Sequence, residues 1–147
     1  MAFALNTLPA DEFLQLRASL PLADVRSPGE YAAGHIPGAV NIPLFDNAQR
    51  AEVGTVYRRE GNARAVVRGI DLTAPGMSGK LKSGLKLAAG GKLLVYCWRG
   101  GMRSEAMAWL FSLGGIEPLV LTGGYKSYRN HILGDLGKEK KYIILVG

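Results

Sequence analysis

The second half of the chain alternates short apolar runs with amphipathic stretches, separated by Gly-Gly pairs at 90–91, 100–101, 114–115 and 123–124. Lys92–Cys97 (KLLVYC) and Glu117–Thr122 (EPLVLT) are apolar over strand length. Arg103–Leu113 puts Met107, Leu110 and Phe111 on one helical face, and Tyr125–Leu136 has similar spacing. The order is strand, helix, strand, helix. The first half repeats it less regularly. Asn6 or Thr7 is expected to cap a helix with Pro9 in its first turn and Phe13, Leu14 and Leu16 facing inward. Leu22–Val25 reads as a strand, Ser27-Pro28 as a helix start, and Ala39–Ile42 as a strand closed by Pro43. From Phe45 to about Gly69 the pattern is helical with a break at Gly61, and Asp71–Gly79, which contains Pro75, reads as irregular. Such alternation implies an α/β domain on a mainly parallel sheet, with its ligand site at the carboxyl ends of the strands.

After the charged, linker-like Gly137–Lys141, the residues Tyr142–Gly147 (YIILVG) read as a buried strand. It is expected either as a last edge strand of this domain or as the first strand of a second α/β domain.

Length and composition narrow the class. At 147 residues the chain suits a single domain, and 48% hydrophobic with 20% charged residues excludes a disordered polymer. The uncharged stretch Ala106–Ile116 is eleven residues long, short of the roughly 20 that cross a bilayer. The opening MAFALNTLPADEF has no basic start or cleavage site, so the cytoplasm is the expected location. One cysteine, Cys97, allows no internal disulfide, no C-x-x-C pair and no cysteine-rich zinc site, and no metal is expected. The net charge of +6 is uneven: residues 1–56 carry three basic and six acidic groups, residues 57–147 fifteen and six. A basic half fits a nucleic-acid partner or plain solubility. Arg58, Arg59, Arg64 and Arg68, at helical spacing, are first a solvated face and only second an RNA track.

The segment with most chemistry runs Tyr96-Cys97-Trp98-Arg99-Gly100-Gly101-Met102-Arg103-Ser104, a buried strand feeding a glycine-rich turn that opens a helix. Backbone N–H groups of such a turn can converge with the unpaired donors of the helix start, which makes an anion site. A lone cysteine closing an apolar strand is in general an inert core thiol. Here Arg99, Arg103 and the positive helix end lie within six residues of it, an environment expected to hold Cys97 as a nucleophilic thiolate.

Around this loop, Asp24–Tyr31 (DVRSPGEY), Gly34–Pro43 (GHIPGAVNIP) and Leu121–Tyr125 (LTGGY) resemble the rhodanese homology domain in order and spacing, over about residues 8–134. The resemblance implies a rhodanese-like α/β fold, a mainly parallel five-stranded sheet flanked by helices. It makes Cys97 a persulfide carrier, cradled by the loop Trp98, Arg99, Gly100, Gly101, Met102 and Arg103. Ordinary members have four residues between cysteine and arginine, whereas five separate Cys97 from Arg103. Five also occur in rhodanese-fold dual-specificity phosphatases, and a phosphatase or a generic thiosulfate sulfurtransferase is the alternative.

More narrowly, Tyr96–Ser104 and Ala51–Tyr57 (AEVGTVY) resemble the rhodanese domain of the tRNA 2-selenouridine synthases. That resemblance implies a transferase that replaces sulfur by selenium in wobble 2-thiouridine of tRNA, with selenophosphate as co-substrate and a geranylated thiouridine as intermediate. It divides the chain into a rhodanese-like domain at 1–136 and, at 137–147, a linker and the first strand of a truncated P-loop domain. The Lys and Ser/Thr of a P-loop are absent, so no nucleotide site and no cofactor is assigned to this chain. Three residues are expected to support the loop. Asp24 and Arg26 end the first strand, with Arg26 expected in an ion pair with Glu30. His35 is either a proton donor or, more in keeping with its turn, bonded to backbone.

Overall fold

The structure, a computed structural model, describes residues 3–89 and 91–146, and the side chains of all of these except 137–146. Five strands form one sheet: β1 (Asn6–Leu8), β2 (Leu22–Asp24), β3 (Val40–Asn41), β4 (Lys92–Tyr96) and β5 (Glu117–Leu121). Their spatial order is β1-β5-β4-β2-β3 and every pairing is parallel. Parallel neighbours need crossovers, and helices supply them: α1 (Ala10–Leu16), α2 (Pro28–Ala33), α3 (Asn47–Glu60), α4 (Asn62–Thr73), α5 (Met77–Ala88) and α6 (Met102–Leu113), while α7 (Gly124–Val146) follows β5.

β4 lies at the centre, which explains its unbroken apolar run: both of its faces are covered. Leu93, Val95 and Cys97 pack into one core layer with Met107, Ala108 and Phe111 of α6 and Ala88 of α5. Leu94 and Tyr96 pack into the other, with Phe13 of α1, Ile36 and Leu121. The two-residue alternation of the strand therefore delivers Cys97 to the side of α6 and Tyr96 to the side of α1. Among the described residues no helix is long and apolar enough to cross a membrane.

Four local expectations are corrected. Asn6 and Thr7 cap no helix: they form β1, in register with Leu119 and Val120, and Pro9 is the N-cap of α1 rather than part of its first turn. Three partly polar residues carry no period of their own, and the sheet edge recruits them. Asp71–Gly79 is not irregular, since α4 continues to Thr73 and a 3₁₀ turn over Ala74–Gly76 leads directly into α5. α5 itself, MSGKLKSGLKLA, has no counterpart in the sequence pattern. Finally, Tyr142–Val146 continue α7 as helix instead of forming a strand, while Gly147 lies outside the described residues. A strand needs a partner to satisfy its backbone groups, whereas a helix satisfies them internally.

Candidate active site

Cys97 ends β4 at the carboxyl edge of the sheet, 3% exposed, and α6 starts five residues later at Met102. Between them the loop turns through Gly100, whose φ of 71° is a left-handed conformation and whose position leaves 3.0 Å for a Cβ against the carbonyl of Leu121 and the amide of Gly123. No side chain caps α6. Among the described residues, the backbone N–H groups of Trp98 through Ser104 donate to no protein acceptor. Seven consecutive donors thus stand unpaired around the cysteine, at the end of a helix whose dipole favours negative charge. The thiol donates to the Ser104 hydroxyl (3.2 Å), which in turn donates to the Gly101 carbonyl (3.0 Å).

The loop is seated from behind by the start of α7. The amides of Tyr125 and Lys126 donate to the carbonyls of Cys97 (2.8 Å) and Trp98 (3.0 Å). Gly124 makes this approach possible: a Cβ there would lie 2.5 Å from the Cys97 carbonyl oxygen. The loop's carbonyls are thereby drawn backward, leaving its N–H groups unengaged.

Below the loop sits a buried ionic cluster. Asp24, fully buried, accepts from the Arg26 backbone amide (2.9 Å), from Arg26 Nε (3.1 Å) and Nη2 (2.7 Å), and from Tyr96 Oη (2.7 Å). Arg26 Nη2 also donates to the Gly34 carbonyl (2.6 Å), and the guanidinium lies 4.1 Å from the Tyr125 ring centroid. Burial opposes the charge on Arg26, but Asp24 outweighs it and raises the pKa of the guanidinium above its usual value. Burial, followed by the Asp24 charge, raises the pKa of Tyr96 and keeps its hydroxyl protonated. Tyr96 Oη also accepts from the Ile36 amide (3.0 Å), which ties the loop after α2 to β4.

The expected Arg26–Glu30 pair is not formed. Glu30 folds back as the capping box of α2 toward Ser27, and Arg26 turns inward to Asp24. Glu30 instead accepts from Arg103 Nη1 (2.6 Å) and Nη2 (3.3 Å) and pairs with Arg50 Nε (2.8 Å). Burial pushes Glu30 up, and Arg103, Ser27 and Arg50 together pull it below the usual carboxylate value. Arg99 and Met102 are exposed, and Trp98 is half-buried against Tyr125, with ring centroids 5.8 Å apart. His35 bonds through Nδ1 to the Tyr31 carbonyl (2.8 Å) and stacks on the Tyr31 ring at 3.7 Å. Arg58, Arg59, Arg64 and Arg68 are exposed, with Arg68 paired to Glu52.

The structure thus brings Cys97, its loop, Asp24 and Arg26 to one edge of the sheet. Sequence reasoning gave no site role to Ser104, Tyr96 or Gly124, although all three lay inside quoted motifs, and it gave Glu30 the wrong partner; the directions of these side chains and the approach of Gly124 depend on the fold. Beside the loop opens a cleft of about 560 Å³, lined among others by Arg26, Glu30, Arg50, Trp98, Tyr125 and Arg129. Among the described residues no cluster of three His, Cys, Asp or Glu side chains could hold a metal ion.

Comparison with known proteins matches residues 9–131 to the rhodanese-like domain family. A tRNA 2-selenouridine synthase of Bdellovibrio bacteriovorus is 39% identical over 134 residues, 88% of this chain and 35% of the relative. The tRNA 2-selenouridine synthase of a Sulfurovum species is 40% identical over 133 residues, 86% of this chain and 36% of its own. The chain thus spans about a third of the length of these curated relatives. Among solved structures, the N-terminal domain of a Clostridium difficile 630 protein named for ATP/GTP binding superposes with a TM-score of 0.79 at 34% identity, covering 87% of this chain and 99% of that one.

Proposed function

Since the chain belongs to the rhodanese-like domain family, we propose that Cys97 carries sulfur or selenium as a persulfide or selenopersulfide, in a transferase that replaces sulfur by selenium in the wobble 2-thiouridine of tRNA. The observation that carries the reading is the set of seven unpaired amides arranged around one cysteine at a helix N-terminus. The Cys97 thiolate attacks the outer sulfur of a donor such as thiosulfate. An S–S bond forms on Cys97, the donor's S–S bond breaks with its electron pair leaving on sulfite, and the terminal persulfide sulfur keeps the negative charge. The loop donors stabilise that charge at the moment it arrives, with no reorganisation. Ser104 is placed to assist: once the thiol is deprotonated, its hydroxyl can turn from the Gly101 carbonyl to donate to Sγ. In this proposal tRNA is the acceptor, as the relatives' name has it, and selenophosphate is proposed as the selenium donor.

A phosphatase with the same Cys-x5-Arg spacing would aim one two-donor edge of the arginine at the phosphate. Arg103 turns its Nη1–Nη2 edge to Glu30 and keeps its Nε–H and outer Nη–H groups for an anion, so the activity assay decides between transfer and hydrolysis. One preparation tests both. Thiosulfate-to-cyanide transfer, a persulfide on Cys97 by mass spectrometry and loss of both in Cys97→Ser are expected. Rapid, Cys97-dependent aryl phosphate hydrolysis without a persulfide would overturn the proposal.

A further inference from the structure

The cleft beside the loop has a composition that the persulfide chemistry does not require. Its volume of about 560 Å³ falls within the usual range for small-molecule sites, about 300–1,000 Å³. Trp98, the residue after Cys97, lines it beside Tyr125, whose ring centroid lies 5.8 Å away, and Tyr128 lies 5.6 Å from Tyr125. The charges on its rim do not cancel. Asp24 answers Arg26, and Glu30 alone is shared by Arg50 and Arg103. Arg129, exposed one turn after Tyr125 on α7, has no carboxylate partner among the described residues. Arg26, Arg50 and Arg129 line the cleft against the one carboxylate Glu30, and adding Asp24 and Arg103, which pair with lining residues from outside it, leaves the same surplus of two positive charges beside the aromatic side chains. A small sulfur anion would use the charges and ignore the rings. A nucleotide uses both, the base stacking on the ring and the phosphate meeting the arginine.

We propose that this cleft receives one nucleotide of a single-stranded RNA, its base on Trp98 and its phosphate on Arg129 and Arg50, so that the base is presented at the mouth of the Cys97 loop. The assignment rests on the transfer reading above and names where its acceptor sits. An acidic peptide would meet the arginines but gain little from the ring.

The probe is a five-nucleotide RNA with a central 2-thiouridine and a 5′-fluorescein, titrated by fluorescence anisotropy against the 147-residue chain. Trp98→Leu and Arg129→Gln should each weaken binding about fivefold or more, and Trp98→Phe should retain most of it. Arg129→Gln should also lower the slope of log affinity against log salt by about 0.7, one phosphate contact on a single strand. Lys82→Gln, the same charge change on exposed α5, should leave binding unchanged. Equal loss in Lys82→Gln, no loss in either cleft variant, or displacement by inorganic phosphate or a polyglutamate peptide at matched charge would each overturn the proposal. Mass spectrometry of the same samples separates the two readings. Persulfide on Cys97 without cleft-dependent RNA binding sinks the cleft alone, and cleft-dependent binding without persulfide sinks the transfer reading alone.

Discussion

Asp24 is the residue on which the site's rigidity turns. It neutralises a guanidinium that is only 2% exposed and fixes the hydroxyl of Tyr96, so removing its charge strands a cation in the interior. Asp24→Asn should cost about 3–5 kcal/mol in chemical denaturation, the range for breaking a buried pair from one side. Asp24→Leu with Arg26→Met should recover much of that loss, because apolar replacement of both partners removes the stranded charge. Gly124 acts by geometry. Its φ of 60° and the 2.5 Å between a Cβ and the Cys97 carbonyl mean that Gly124→Ala must displace the loop backbone, which is not a flexible side chain. Persulfide formation should slow by about a hundredfold, the scale expected for a misplacement near 1 Å, while the far-ultraviolet circular dichroism stays native. A stopped-flow trace equal to wild type would mean that the loop's seat is irrelevant to loading.

At the scale of elements, α2 and α6 are joined by Glu30, and pH reports the joint. The folded-state pKa of Glu30 lies below its usual value near 4.5 because Arg103, Ser27 and Arg50 outweigh burial. A carboxylate lowered in the folded state contributes stability that is complete above the unfolded value and is lost as pH falls through the folded one. Wild type should therefore exceed Glu30→Gln in stability at pH 7, and the gap should close below about pH 4.5, read from urea midpoints across pH. A gap independent of pH would assign the effect to packing. Elements also mark what the chain's pattern could disclose. β4, α6 and β5 were legible because each buries a clean face; Leu93 to Tyr96 are all buried, and Met107, Leu110 and Phe111 line one side. α5 was not, because Gly79 and Gly84 interrupt its apolar spacing and each disfavours a helix by about 1 kcal/mol. Gly84 is there for contact: a Cβ would fall 2.4 Å from the Phe111 ring, so only a bare backbone lets α5 lie this close to α6. Gly84→Ala should destabilise by about 1–3 kcal/mol through overpacking, less the gain in helix propensity. The site divides the same way. Cys97 and its glycines were visible as local sequence, whereas the pairing of Arg103 with Glu30 spans 73 residues and follows from the parallel order of the strands.

Across the whole molecule, the proposed loading of Cys97 and the proposed modification of tRNA make different demands. Loading needs the thiol, the unpaired amides of residues 98–104 and the seat at Gly124, all held by β4, α6 and α7 within this chain. Modification needs a thiouridine held within about 3–3.5 Å of the carried atom, and a folded RNA is positioned by phosphate contacts over an extended surface. The relatives that bear the synthase name are about three times as long as the segment they share with this chain. One cleft with a surplus of two charges, on a chain of net charge +6, supplies few such contacts, and their strength falls steeply with salt. The 147-residue chain should therefore form its Cys97 adduct in full and retain tRNA weakly at low salt. It should lose that tRNA as salt rises, and nuclease digestion followed by mass spectrometry should find no selenouridine. Selenouridine formed by this chain alone would mean that one cleft suffices to place the base, and that the remaining two thirds of the relatives' length is dispensable for the chemistry.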